Sequence, residues 1–584
     1  MQMNQPHSVS SELLLGDQAI ARGAWEAGVR VVTAYPGTPS TEITEAAAKY
    51  PEINTQWAPN EKVAMEVAYG AALTGARALV CMKHVGMNVA ADPMFTAAYT
   101  GINAGFVIAV ADDPAMHSSQ NEQDSRYYAR AAHLPILEPS DSQECKDFTK
   151  YAFALSEELD TPVILRITTR IAHARSIVAE GPREDIALKP YEKNMAKYVM
   201  IPAMARKRHL EVEKREMSFA EAVNDSPLNT VELRDPAIGI ITSGVAYQYV
   251  RDALPDASIL KLGIVYPLPM QTIADFAKQV KRLIVIEELE GLIETDIKAA
   301  GIACEGKALT GIQGELTVET IKNAVLGTPL PLVSQTDLPG RPPTLCPGCP
   351  HRGIFYVLSK LKMRVMGDIG CYTLASLPPL SAMDACLCMG ASIGMASGAE
   401  RAQGKEFSKK TVAVIGDSTF IHSGVTGLID AVYSKEAITV LILDNRITGM
   451  TGHQHHPATG FDIHGDPAPM LDIEALCRAC GVEHIAVVDP LDLAETKRVI
   501  LEETQRDAVS VIIARRACAL IDKAKRPIYY TDGCKNCGAC LKVGCQAIER
   551  RGDHIEINAA LCTGCGMCSQ VCPFGAIQKG GDAK

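Results

Sequence analysis

Eight of the chain's 19 cysteines fall between Cys534 and Cys572, in two echoing runs. The first reads Cys534-Lys-Asn-Cys537-Gly-Ala-Cys540, with Cys545 beyond it; the second reads Cys562-Thr-Gly-Cys565-Gly-Met-Cys568, followed by Cys572-Pro573. Three thiolates at C-x2-C-x2-C spacing can turn around one iron cube, and a fourth from the other run closes it. Crossed ligation then gives Cys534, Cys537, Cys540 and Cys572 for one [4Fe-4S] cluster, and Cys545, Cys562, Cys565 and Cys568 for the other. The plainer readings are zinc ribbons or disulfides. Zinc sites pair two C-x2-C hooks rather than three cysteines in a row, and disulfides need an oxidising compartment.

These runs resemble bacterial-type two-cluster ferredoxins, with one departure. Cys545 follows Cys540 after four residues rather than three, and Gln546 stands where proline is usual. The remaining composition is that of a globular protein: 584 residues, 47% hydrophobic and 21% charged. A net charge of -11 argues against nucleic acid as the main partner. Met1–His7 lacks a basic stretch leading into an apolar one, and no apolar run reaches the ~18 residues of a membrane span. The expectation is a cytoplasmic protein in a reducing, anaerobic setting, with no membrane contact.

Short apolar runs alternate with helical stretches, which predicts α/β architecture with several doubly wound parallel sheets. Arg30–Ala34, Ala78–Cys81, Phe106–Ala111 and Pro162–Ile167 are the predicted strands of a first domain, 1–180. A charged connector follows over 181–235, then a second α/β domain over 236–338 and a third over 339–525, bounded by the Pro-rich Pro339–Thr344 stretch. The cluster tail, 526–584, is expected to be α+β.

In the third domain, Thr411–Ile415 is a predicted strand ending in Gly416-Asp417-Ser418, and Ile438–Leu443 is a second ending in Asp444-Asn445. A helix is expected from His422 to about Ser434. Asp417 and Asn445 thus emerge where open α/β sheets bind ligands, and they offer the hard oxygens that Mg²⁺ prefers. This pattern resembles the thiamine diphosphate signature. The resemblance implies that Gly416, Asp417 and Ser418 lie at the cofactor and that Asp417, Asn445 and the Ile447 carbonyl hold magnesium. Met389-Gly390-Ala-Ser-Ile-Gly394 is similar to the small-residue helix near the diphosphate, where glycines permit close approach and helix N-terminal amides face the anion.

Tyr35-Pro36-Gly37-Thr38-Pro39-Ser40, Asn60-Glu61 and Lys83-His84-Val85-Gly86-Met87-Asn88 resemble the pyrimidine domain of 2-oxoacid:ferredoxin oxidoreductases. With His117–Arg126, Thr344–His351 and Asp444–Gln454, the likeness to alpha subunits of the indolepyruvate-type oxidoreductases covers nearly the whole chain. It implies a thiamine pyrimidine-binding domain at 1–180, a transketolase C-terminal-like domain at 236–338 and a thiamine diphosphate/Mg-binding domain at 339–525. On residue types alone, Glu61 is simply a first-turn acid of a helix capped by Asn60. The resemblance makes it the acid against the aminopyrimidine, and Thr38 a contact to the oxoacid. It also implies a candidate proximal [4Fe-4S] cluster on Cys346, Cys349, Cys371 and Cys518, where the plainer reading is a tight turn with buried thiols.

Cys386, Cys388, Cys477 and Cys480 are expected to pack as small apolar side chains. The histidines 453, 455 and 456 suggest a solvated or substrate-facing loop, and Met450 a pliable wall for a flat aryl group. The implied activity is coenzyme A-dependent oxidative decarboxylation of arylpyruvates, indole-3-pyruvate above all, with ferredoxin as acceptor. A smaller beta subunit is expected in a two-alpha, two-beta assembly. The rivals are a non-oxidative thiamine-dependent decarboxylase and an electron-transfer subunit with a vestigial thiamine fold.

Overall fold

The four apolar runs of the N-terminal third become Val31–Ala34, Ala78–Lys83, Phe106–Asp112 and Val163–Thr168, all parallel. With Asn54–Trp57, Ile136–Leu137 and Ile264–Tyr266 they form one seven-stranded sheet, in which the last strand alone is antiparallel. Alternate residues serve opposite faces. Leu79, Cys81, Val107 and Ala109 enter one core, while Val80, Met82, Ile108 and Val110 enter the other. Burial on both sides is why these strands read as continuous apolar runs.

A computed structural model describes residues 10–329, 342–524 and 526–580. The Met1–His7 segment and Pro339–Arg341 lie outside them. The described residues up to 329 belong to one compact unit and those from 342 onward to a second. Among the described residues, no helix is long and apolar enough to cross a membrane.

The charged connector contains the helix Pro202–Ala222, mostly solvated. Beyond it, Thr230–Glu232, Asp235–Ser243, Ala257–Leu262 and Arg282–Ile286 make a four-stranded sheet. Ile241, Leu260 and Val285 from this sheet share a core with Val80 and Ile108 of the first. Arg126 fastens the two sheets. Its guanidinium is fully buried and donates to Asp124 Oδ1 at 2.9 Å, to Glu287 Oε2 at 2.6 Å, and to the Glu288 and Glu290 carbonyls at 3.0 and 2.9 Å. Burial pushes the Asp124 carboxyl up, but Arg126 and Arg166 outweigh it and hold it low.

The second unit holds a six-stranded, wholly parallel sheet in the order Ala385–Cys386, Arg364–Gly367, Thr411–Gly416, Thr439–Asp444, Ser510–Arg515, His484–Val488. Cys386 and Cys388 depart from expectation: both are exposed, Cys386 in the two-residue strand Ala385–Cys386 at the edge of the sheet and Cys388 just beyond it. Cys477 is buried and Cys480 partly so. The cysteine tail adds two small antiparallel pairs, Tyr529–Thr531 with Ile577–Lys579 and Ile548–Arg551 with His554–Ile557. The chain is therefore α/β with several parallel sheets and a ferredoxin-like C-terminal region.

Removing Arg126 takes away the ion pair of the buried Glu287 and leaves the buried Asp124 with Arg166 alone. Arg126→Met should lower stability by about 3–5 kcal/mol, measured by urea unfolding followed through tryptophan fluorescence, since both tryptophans, Trp25 and Trp57, lie in this unit.

Candidate functional site

Thr411–Gly416 and Thr439–Asp444 run side by side with Gly416 opposite Leu443, so Asp417 and Asn445 leave the sheet at the same edge. The helix after Gly416 starts five residues earlier than expected. Asp417–Thr419 leads through a π turn at Phe420–Gly424 into Val425–Tyr433. Turns of that type are frequent at functional sites. Asp417 Oδ1 accepts the Ser418 N–H at 2.8 Å and Oδ2 the Arg446 N–H at 2.7 Å. Asn445 Oδ1 accepts the Ile447 N–H at 3.2 Å, and its Nδ2 lies 3.3 Å from His351 Nε2. Both side chains are buried. A carboxylate, a carboxamide oxygen and a nearby carbonyl form a hard-oxygen set that fits magnesium.

His456 does not lie in a solvated loop. It is buried, with Nε2 at 3.4 Å from Asp417 Oδ2, drawn in by that buried carboxylate. His455 packs on Phe461 instead, and Met450 is about half exposed. Burial pushes His351 down to about 4, against the pull of Asp417. The ring therefore stays neutral at ordinary pH.

The helix Ala391–Gln403 is anchored by a residue the sequence reading passed over. Asp368, fully buried, follows the strand Arg364–Gly367 and accepts the N–H groups of Gly390 at 2.8 Å and Ser392 at 3.0 Å. These amides are thus already engaged, and the expected anion contact there does not hold for them. Gly390 sits at φ +86, where a Cβ would lie 2.2 Å from Ser423 Oγ, whereas a Cβ on Gly394 would meet no atom within 4 Å. The open approach is therefore at Gly394. A second Gly-Asp pair at a strand end was the signal for Asp368.

Three groups of thiols lie in the same unit. Cys534, Cys537, Cys540 and Cys572 line one cavity with Ile555 and Ile577. Cys545, Cys562, Cys565 and Cys568 line another with Tyr529 and Met567. A tetrahedral zinc ion with ~2.3 Å bonds would hold its sulfurs about 3.8 Å apart. Among the described residues, no three thiols come within 4.8 Å of one another. Four thiols around each cavity, spaced more widely than one zinc ion would hold them, fit an iron–sulfur cube better than a single ion. Cys346, Cys349, Cys371 and Cys518 form the third group. Burial, then Cys518 and Cys346, push Cys371 up to about 11, and burial raises Cys349 to about 12 with the same two thiols adding to it. The Cys518 N–H donates to the Asn445 carbonyl at 3.0 Å, which joins this group to the magnesium-type site.

The third group also abuts the tail. Gly348, at φ +70 between Cys346 and Cys349, sits so close to Thr563 that a Cβ would lie 2.0 Å from its Oγ1. Arg352, buried, donates to the carbonyls of Cys346 at 3.2 Å and Val543 at 3.1 Å, and to those of Leu345 and Gly544. Gln546, the departure from the ferredoxin pattern, donates to Thr344 Oγ1.

In the first unit, Glu61 opens the helix Glu61–Leu73, whose Asn60 cap accepts the Val63 N–H at 2.9 Å. Its carboxylate is buried against Gly86, where a Cβ would lie 2.6 Å from Oε1. Lys83, another residue not singled out, ends the strand Ala78–Lys83 and donates to the Ser118 carbonyl at 3.0 Å. Ser118 Oγ in turn donates to the Thr38 carbonyl at 3.2 Å. Burial brings Lys83 down to about 8, while Asp113 and Glu61 pull it up. Thr38, Glu61 and Lys83 thus gather at one end of the first sheet.

Comparison with known proteins agrees with this layout. Family models match at 22–228 (pyruvate flavodoxin/ferredoxin oxidoreductase, thiamine diphosphate-binding), 230–315 (indolepyruvate oxidoreductase domain), 368–514 (thiamine pyrophosphate enzyme, C-terminal TPP-binding domain) and 555–578 (4Fe-4S binding domain). The chain is 40% identical to the indolepyruvate oxidoreductase subunit IorA of Archaeoglobus fulgidus, over 97% of both proteins. It is 41% identical to that of Pyrococcus horikoshii, over 97% of this chain and 96% of the relative. The chain belongs to the IorA family of indolepyruvate oxidoreductases. It is an oxidoreductase with thiamine diphosphate-binding and 4Fe-4S domains. Among solved structures, a 2-oxoglutarate:ferredoxin oxidoreductase from Magnetococcus marinus overlaps 54% of this chain and 65% of its own at 18% identity and a TM-score of 0.48, too loosely to bear on this chain. The 4Fe-4S model spans the second cysteine run only; the first, with its longer spacing, lies outside it.

Gly86→Ala should push the Glu61 carboxylate aside and cut turnover by roughly tenfold to a hundredfold. Gly70→Ala is the control, because its Cβ would meet no atom within 4 Å; steady-state rates should not change.

Proposed function

We propose that the chain carries out ferredoxin-dependent oxidative decarboxylation of arylpyruvates, with indole-3-pyruvate preferred. The overall reaction takes one oxoacid, one coenzyme A and two oxidised ferredoxins to an aryl-acetyl-CoA, carbon dioxide, a proton and two reduced ferredoxins. The reading is supported above all by the third thiol group, which touches Asn445 on one side and the tail loop at Thr563 on the other. A decarboxylase that released an aldehyde would have no use for that path.

Bound thiamine diphosphate supplies a carbon nucleophile for the ketone and a sink for the electron pair left by carbon dioxide, which iron–sulfur clusters pass on singly. Asp417, Asn445 and the Ile447 carbonyl would hold its magnesium, with Gly416 and Ser418 at the diphosphate. Glu61 would hold a proton against the aminopyrimidine, in a place fixed by the Gly86 contact. Thr38 and Lys83 would orient the oxoacid, Lys83 by its charge. Cys346, Cys349, Cys371 and Cys518 would hold the proximal cluster, and the two tail groups the other two in the crossed pattern.

Relatives carry the designation "subunit" in their names, which supports a partner subunit; the partner proposed is a smaller beta subunit, in a two-alpha, two-beta assembly. The domain limits proposed are 1–180, 181–235, 236–338, 339–525 and 526–584. Met450, half exposed beside the site, is the proposed wall for the aryl group. Anaerobic co-expression with the partner and a coenzyme A-dependent assay on indolepyruvate, phenylpyruvate and pyruvate tests the reading. Aldehyde release without coenzyme A, or without ferredoxin reduction, would overturn it.

Lys83 has a pH signature. Below about 8 its ammonium is protonated and attracts the substrate carboxylate; above that value the charge is lost. KM for the oxoacid should rise as pH passes about 8. In Lys83→Met, KM should already be about tenfold higher at pH 7 and should not change through that window.

A further inference from the structure

Asp17 is the least accommodated acid in the first unit. It occupies the first turn of the helix Gly16–Glu26 with no accessible surface, and neither carboxylate oxygen has a hydrogen-bond partner. A buried carboxylate without donors is costly, and such groups are normally paired or bound to a metal. Two ligating side chains from other helices face it. Glu42 stands in the first turn of the helix Thr41–Ala47, and its Oε2 is ion-paired with His173. His173 ends the short helix Thr169–His173, with Nε2 3.7 Å from Glu42 Oε2.

Backbone packing brings these ends together. Gly16 lies so near the 169–173 helix that a Cβ would fall 2.1 Å from the Ile171 carbonyl oxygen, and its N–H donates to the Ala174 carbonyl at 3.2 Å. One ligand atom from each of Asp17, Glu42 and His173 then lies within 4.8 Å of the other two, the only such triple among the described residues. A tetrahedral ion with bonds of about 2 Å sets its ligands about 3.3 Å apart. The observed spacing reaches that with rotation of Glu42 and His173, which are both partly exposed.

We propose that Asp17, Glu42 and His173 bind one divalent transition-metal ion of the zinc type. Two carboxylates and an imidazole suit such an ion better than Mg²⁺ or Ca²⁺, which take oxygen ligands throughout. The exposed side of His173 leaves room for water as the fourth ligand. The ion takes the place of the proton that burial and Glu42 otherwise favour on the Asp17 carboxyl. It also ties three helix ends together beneath the Tyr35–Ser40 turn, since Glu42 lies four residues after Thr38. Its role is structural and does not depend on the proposed reaction.

The test uses the anaerobic enzyme with its partner subunit, soaked in ZnCl2, desalted and analysed for zinc, iron and thiamine. Wild type should retain about one more zinc per chain than either His173→Ala or Asp17→Asn, with iron and thiamine equal in all three. That equality separates this site from the cysteine tail and from the magnesium-type site. Equal zinc in wild type and variants, or a loss confined to one variant, would overturn the proposal. If Asp17→Asn does not fold, Glu42→Gln replaces it, at a partly exposed position.

Discussion

The contact between Gly348 and Thr563 is the constraint on which the proposed electron path depends. Only a residue without a side chain fits at Gly348, because a Cβ would lie 2.0 Å from Thr563 Oγ1. This glycine separates Cys346 from Cys349, and Thr563 follows Cys562, so cysteines more than 200 residues apart in sequence, Cys349 and Cys562, flank one packed boundary. Arg352 closes it with hydrogen bonds to carbonyls on both sides. An arginine with almost no exposed surface is stable only because carbonyl oxygens surround its guanidinium. On the proposed function, loss of that arrangement would lengthen the electron's path rather than remove the thiols that would hold the clusters.

Both units obtain their sites in the same way. Parallel strands buried on both faces end together, and the residues immediately beyond them meet with little cost in backbone freedom. Lys83 and Asp113 in the first unit, and Asp368, Asp417 and Asn445 in the second, all stand at such ends. Much of their polarity is spent holding the site's own backbone. Asp368 secures a helix, Asp417 accepts two amides, and Asp113 accepts hydrogen bonds from Ser118, Ser119 and Thr169.

Local pattern made part of this legible. The cysteine spacing alone sorted eight thiols into the two groups that line separate cavities, and unbroken apolar runs marked the central strands. Asp417 and Asn445 were visible because each follows a strand. What stayed hidden depends on partners distant in sequence. Nothing near Arg352 signals carbonyls at 543 and 544, and nothing near His456 signals Asp417. The exposure of Cys386 and Cys388 follows from an edge position that composition does not encode. Lys83 was named only within the Lys83–Asn88 motif and given no role, because its perturbation comes from burial beside Asp113 and Glu61.

The most direct measurement is freeze-quench EPR of anaerobic Cys371→Ser beside wild type, with iron counted in each. Wild type should hold about twelve irons per chain and the variant about eight. In the variant, dithionite should still reduce the tail clusters, whereas oxoacid with coenzyme A should not do so on the timescale of wild-type turnover. Tail clusters that fill from substrate as fast in the variant as in wild type would contradict the account.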